Sequence, residues 1–213
     1  MFYRNAWLGS KDMLITNKIT DIINALEKGG VLAFRTDTLF SLSCDATNNQ
    51  AVSQIYKMKR RAVHKALPIF IDSVENAKKY VQFNDTSLKI ARQFWPGALT
   101  IVLPLQEPSS ISPLIHRDQR NIAIRIPDSP LLREVIKCYG KPIVATSANL
   151  SGATNPTTEL ELKQHFDGKV DICVSDTSAH TSYVNSTIIH PNEDSVQFLR
   201  IGKISKEDIL KVI

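Results

Sequence analysis

Three groups of polar side chains stand where apolar stretches end. Lys59 and Arg61 close the run IYKMKRR, Thr146, Ser147 and Asn149 follow PIVA, and Arg35-Thr36-Asp37-Thr38 follows VLAF. Ligands of open α/β sheets bind beyond such strand ends. Lys59 comes seven residues after Val52 and four after Ile55, so it continues the apolar stripe of a helix. An ammonium there either snorkels to water or meets an anion. Buried and unpaired it would cost several kcal/mol, so burial demands a counter-charge. No acidic residue lies within ten positions of it. Arg61 adds a planar fork that suits phosphate or carboxylate. The plainer alternative, a solvated basic helix end, carries equal weight.

Thr146, Ser147 and Asn149 offer donors and acceptors without charge, fit for an amino acid or for ribose and phosphate oxygens. Ordinary turn chemistry, with Gly152 beyond, explains them equally well. Arg125 stands between Ile124 and Ile126 in an alternating strand and needs a partner, with Asp128, Asp118 and Glu134 as the nearby carboxylates. Arg200 ends the run SVQFLR before Gly202.

The elements that must position these groups are legible as alternating helices and strands. NKITDIINALEKGG reads as a helix capped by Asn17 and stopped by Gly29 and Gly30, with Ile19, Ile22, Ile23 and Leu26 on one face. VLAF is a strand. NNQAVSQIYKMKRR is a helix with Val52, Ile55 and Tyr56 inward, and ALPIFI is the next strand. DTSLKIARQFWPG reads as a helix capped by Asp85, followed by the strands ALTIVLPL and NIAIRIP. SPLLREVIKCYG carries a Ser129 cap and Gly140 past its end, and leads into KPIVATSAN. A helix near 157–166 precedes the short strands DICVS, STIIH and SVQFLRI, and Ser205 and Asp208 are spaced like a capping box. The alternation predicts an α/β fold, and late strands without helices between them make its sheet mixed.

The chain has 213 residues, 43% hydrophobic and 22% charged, with a net charge of +5, which fits a soluble α/β domain with an anionic partner. No apolar run approaches the roughly 18 residues that cross a bilayer, and the first residues lack a signal peptide's apolar stretch. The expected location is cytoplasmic. Residues 1–15 read as an N-terminal extension and 16–213 as one domain. Cys44, Cys138 and Cys173 form no CxxC, and the five histidines show no metal-ligand spacing, so no metal site is expected. No GxxxxGK[ST] and no GxGxxG occur. No GxSxG elbow supports a hydrolase.

Taken together, KGGVLAFRTDTLFSLSCDATN, IYKMKRRAVHKALPIFI, FWPGALTIVLP, IAIRIPDSPLLR, PIVATSANLSG, NSTII and FLRIGKIS resemble the YrdC/TsaC family of threonylcarbamoyl-AMP synthases. The likeness runs from about Ile19 to Gly202, and K-x-R (Lys59, Arg61) with S-x-N (Ser147, Asn149) is its most specific part. It implies a YrdC-like twisted mixed parallel/antiparallel sheet flanked by helices, with a basic concave face. It implies a nucleotidyltransferase that joins L-threonine, bicarbonate and ATP, carried with Mg²⁺, into threonylcarbamoyl-AMP and pyrophosphate for t6A modification of tRNA. No tightly bound cofactor is implied. A downstream threonylcarbamoyl-transferase complex would take the product, and weak binding of tRNA or double-stranded RNA would accompany it. By the resemblance, Lys59, Arg61, Ser147 and Asn149 are catalytic and, with Arg200, bind ATP. Thr36, Arg125 and Ser186 bind threonine. The chain departs from the family pattern at Arg35 (usually Pro), Ser41 and Ser43 (usually Gly), Ala62 and Asn185 (both usually Pro).

Rival readings are an RNA-binding protein of this fold without synthase activity, a YciO-like protein of other function, and an unrelated hydrolase. The first lacks the aromatic interleaving of a stacking platform, since aromatic residues make up only 7%. The second is opposed by the K-x-R and S-x-N pairs, and the third has no motif.

Overall fold

The computed structural model describes residues 13–117, 120–166, 168–176, 180–193 and 195–213. The strands form two mixed sheets where the alternation had predicted one. The first joins β1 (Leu14–Thr16), β9 (Ile172–Val174), β2 (Leu32–Phe34), β3 (Ser41–Ser43) and β8 (Thr146–Ser147), in that order. The second joins β11 (Val196–Arg200), β10 (Thr187–Pro191), β5 (Leu99–Pro104), β6 (Asn121–Arg125), β4 (Ile69–Phe70) and β7 (Ile143–Val144). Residues 14 and 15, assigned by sequence to an extension, therefore belong to a sheet strand, and Met13 is buried beside it. Residues 1–12 lie outside the described residues.

β7 and β8 are nearly continuous, yet they belong to different sheets. β7 pairs antiparallel with β4, and two residues later β8 pairs antiparallel with β3. Ala145 is the crossing point, and its N–H donates to the Pro68 carbonyl at 2.8 Å. The polar tip that follows PIVA is thus where the chain leaves one sheet for the other.

Helices α1 (Ile19–Glu27), α2 (Asn49–Met58), α4 (Asp85–Phe94) and α6 (Pro130–Tyr139) bury the faces their periodicity marks, including Ile22, Leu26, Val52, Ile55, Ile90, Leu132 and Ile136. Ser129 caps α6 through the Leu132 N–H, and Gly140 ends it at φ 76°, a left-handed turn that glycine takes without strain. Two caps differ from expectation by one residue. Lys18, not Asn17, is the cap position of α1 and gives no side-chain bond. Asn84, not Asp85, caps α4, reciprocated by Ser87 in a capping box. Shorter helices α3 (Val74–Ala77), α5 (Pro113–His116), α7 (Glu159–Phe166) and α8 (Lys206–Leu210) fill the connections. Ser205 caps α8 through the Asp208 N–H, as its spacing predicts.

Candidate active site

A cleft of about 380 Å³ opens where the two sheets part. Segments far apart in the chain build it. Thr36 and Thr38 come from the turn after β2, Ser41 from β3, Arg61 from beyond α2, Phe70 from β4 and Thr100 from β5. Arg125 comes from β6, Ser147 from β8, Ser186 from before β10 and Arg200 from β11.

The K-x-R corner depends on one backbone reversal. Lys59 is the C-cap of helix α2, and Arg60 then takes φ 49°, a left-handed conformation that costs a non-glycine residue roughly 1–2 kcal/mol. Lys59, continuing the apolar stripe of α2, is buried at 2% exposed, and past the reversal Arg61 reaches the cleft. Sequence reasoning required a counter-charge for a buried Lys59, and among the described residues no carboxylate pairs with it. The Nζ donates instead to the carbonyls of Ser147 and Asn149 and, at 3.2 Å, to Asn149 Oδ1. Three acceptors match the three N–H donors of an ammonium. Burial, and then the neighbouring Arg61, act against that charge and push Lys59 down to about 7. Lys59 therefore stands behind the cleft wall and braces the S-x-N tip. Arg61 is held at 2.8 Å by the Ala66 carbonyl, and burial lowers its pKa too.

The S-x-N tip is internally bonded. Ser147 Oγ donates to Asn149 Oδ1 at 2.6 Å, and Asn149 Nδ2 donates to the Ala153 carbonyl at 2.6 Å. Ser147 lines the cleft, and Asn149 sits beside Lys59.

Arg125 has the partner its strand position requires, and among the described residues that partner is neither Asp128 nor Glu134. It pairs with Asp37, 88 positions away, at 2.5 Å, and both are buried. Of the proposed partners, Asp118 lies outside the described residues. Asp128 contributes charge and gives its N–H to Asp37 at 3.2 Å. Arg125 also donates from Nε to the Gly97 carbonyl and from Nη1 to Thr38 Oγ1, both at 2.8 Å. One N–H on each terminal nitrogen remains for a ligand. Burial lowers the pKa of Arg125, and Asp37 opposes that.

Thr36 lines the cleft, but its hydroxyl is spent on its own turn. It donates to the Leu39 carbonyl at 2.7 Å and accepts from the N–H groups of Thr38 and Leu39, both at 3.2 Å. The resemblance gave Thr36 a part in holding threonine without saying through which atom, and a bond from this hydroxyl's proton would require that turn to rearrange. Ser186 Oγ lies 2.9 Å from Thr100 Oγ1 and accepts from Arg200 Nη2 at 3.0 Å, while Arg200 Nε donates to the Ser186 carbonyl at 3.0 Å. Burial and then Arg125 lower the pKa of Arg200. Gly202 lets β11 approach this closely, because a Cβ there would sit 2.2 Å from the Asn185 carbonyl oxygen.

Six of the residues selected from sequence, Thr36, Arg61, Arg125, Ser147, Ser186 and Arg200, line one cleft, and Lys59 and Asn149 support its wall. Asp37, Thr38 and Thr100 have structural roles there that sequence reasoning did not assign. RTDT had drawn attention as a polar tip, but Thr100 looked like one polar residue in an apolar strand. Among the described residues, no cluster of three or more His, Cys, Asp or Glu side chains suits a metal ion.

Residues 24–202 match the Sua5/YciO/YrdC family model, whose description reads telomere recombination. The chain belongs to the Sua5/YciO/YrdC family. It is 35% identical over 205 residues to a threonylcarbamoyl-AMP synthase of Bacillus subtilis, covering 95% of this chain and 59% of that one. It is 36% identical to a putative threonylcarbamoyl-AMP synthase of Methanocaldococcus jannaschii, covering 83% of this chain and 81% of the relative. The crystal structure of P. abyssi Sua5 complexed with L-threonine superposes with a TM-score of 0.86 at 29% identity, over 94% of this chain and 60% of that one. The chain thus spans about three fifths of the Bacillus relative and of the P. abyssi protein. The family's two-sheet fold accounts for the meeting of K-x-R, S-x-N and the two strand arginines.

Proposed function

We propose that this chain is a threonylcarbamoyl-AMP synthase, which converts L-threonine, bicarbonate and ATP into threonylcarbamoyl-AMP and pyrophosphate. The observation that carries this reading is the gathering of three arginines and several neutral hydroxyls around one cleft, braced by a buried lysine. The names of the relatives and the threonine complex of P. abyssi Sua5 support it.

In this mechanism the neutral threonine amine adds to CO₂ derived from bicarbonate and gives up a proton to solvent, or reacts with bicarbonate itself and releases water, and either route gives N-carboxythreonine. The new carboxylate attacks the α-phosphate, and pyrophosphate leaves. Arg61 and Arg200 hold phosphates, and Mg²⁺ arrives with ATP as part of the substrate and shares the charge. Lys59 adds positive potential from behind the wall and fixes Ser147 and Asn149, which orient the nucleotide and the carbamate. Arg125, clamped by Asp37, offers its two remaining N–H groups to the threonine carboxylate, near Ser186 and the Thr36 turn. No side chain needs to act as general base, so the rate comes from positioning and charge neutralisation. A cytoplasmic site of action, a downstream threonylcarbamoyl-transferase complex and weak tRNA contact belong to the same reading.

The test is pyrophosphate release by the purified protein. It should require both threonine and bicarbonate, and Lys59→Ala should abolish it. Turnover that persists without threonine overturns the assignment. Salt-sensitive RNA binding without turnover would favour the RNA-binding alternative.

A further inference from the structure

Ser41 lies directly across the first sheet from Ser147, its antiparallel partner, and both line the cleft. Opposed residues in such a pair hold their Cβ atoms about 4.5–5.5 Å apart, so one oxygen-bearing ligand can reach both. Their hydroxyls are not equivalent. The Ser147 proton is committed to Asn149 Oδ1 at 2.6 Å. Ser41 is 4% exposed, yet among the described residues its hydroxyl's hydrogen bonds, to the Phe34 carbonyl and to Ser43 Oγ, are both 3.5 Å long. A buried hydroxyl normally finds a partner at about 2.7–2.8 Å. Ser41 thus carries a weakly engaged proton on a wall that also presents Arg61.

We propose that Ser41 is a ligand-binding residue whose hydroxyl donates to an anionic oxygen, phosphate or carboxylate, seated on this wall beside Arg61. The polyphosphate of the nucleotide and the carboxyl of the amino acid share that chemistry, and separate titrations tell them apart. The inference rests on the proposed function only for the identity of these anions. The binding chemistry itself needs only the cleft.

The test compares wild type with Ser41→Ala and Ser41→Gly. Calorimetric titrations use inorganic triphosphate and L-threonine as separate probes, and thermal melts check folding. Loss of one hydrogen bond to a charged group should weaken one probe by roughly tenfold or more and leave the other within about twofold. Selective weakening towards triphosphate assigns the hydroxyl to phosphate, and towards threonine to the carboxylate. Unchanged binding of both probes, tighter binding by either variant, or no binding of either probe by wild type overturns the proposal. A variant that melts early is replaced by Ser41→Thr, which keeps the hydroxyl and should keep the affinity. Ser41-dependent triphosphate binding without pyrophosphate release would sink the synthase reading and leave this inference standing. Full synthase activity with Ser41-independent binding would do the reverse.

Discussion

Two buried cations serve the site, Arg125 in the cleft lining and Lys59 behind its wall, and they are stabilised in opposite ways. Arg125 is neutralised by a buried carboxylate, and its guanidinium is pinned by Asp37, Thr38 and the Gly97 carbonyl. Lys59 has three oxygen acceptors and, among the described residues, no carboxylate partner. Dipoles orient an ammonium, but they do not cancel its charge. The Arg125 corner is therefore a rigid frame, complete before any ligand arrives. The Lys59 corner, with Arg61 beside it, holds positive potential that an anion would relieve. A site that must take up a polyphosphate and still keep its shape gains from having both.

Several measurements can break or sharpen this contrast. The largest effect is expected from Asp37→Ala, which leaves Arg125 buried and unpaired and should cost about 3–5 kcal/mol in urea unfolding. Lys59→Met should cost less than about 2 kcal/mol, because the acceptors it strands are offset by removal of an uncompensated charge. Its pyrophosphate release should nonetheless fall by about 100-fold or more. Equal destabilisation by the two variants would erase the distinction between the corners.

A third expectation concerns pH. The folded protein holds Lys59 down to about 7, against 10.5 for an unperturbed lysine. Between those values the unfolded chain binds more protons than the folded one, so this group makes stability rise with pH across that window. Denaturant melts from pH 7 to 10 should show that slope in wild type and lack it in Lys59→Met. The same slope in both proteins would mean that the three acceptors hold Lys59 fully charged. The smallest effect belongs to the exposed Lys78–Glu75 pair at 2.9 Å, where Glu75→Gln should change stability by less than about 0.5 kcal/mol.

How much of this was legible in the sequence depended on distance along the chain. The buried faces of α1, α2 and α6 were readable because helical periodicity is a local property. The caps at Ser129 and Ser205 were readable for the same reason, while Asn17 and Asp85 were each one position off. Cap choice turns on which residue carries the extended backbone, and neighbouring polar residues do not reveal that. Of the site, Thr36, Arg61, Arg125, Ser147 and Arg200 were visible as polar residues in or at the ends of apolar runs, Ser186 entered only through the resemblance, and all six line one cleft. The partner of Arg125 was not visible, since Asp37 lies 88 positions away and nearer carboxylates competed for the role. Nor was the bracing of Ser147 and Asn149 by Lys59, across 88 and 90 positions.

The sequence by itself determined which segments become helices and strands and which polar residues stand at their ends, because periodicity and turn chemistry act over a few residues. It also carried the motifs that mark the family. Only the tertiary structure decided that PIVA and the tip after it belong to different sheets, that Lys59 turns inward onto carbonyl and amide oxygens, and that Arg125 is neutralised from the turn after β2. Those outcomes depend on which distant groups share a low-dielectric interior, and a charge's surroundings there are set by the packed fold and not by its neighbours in the chain.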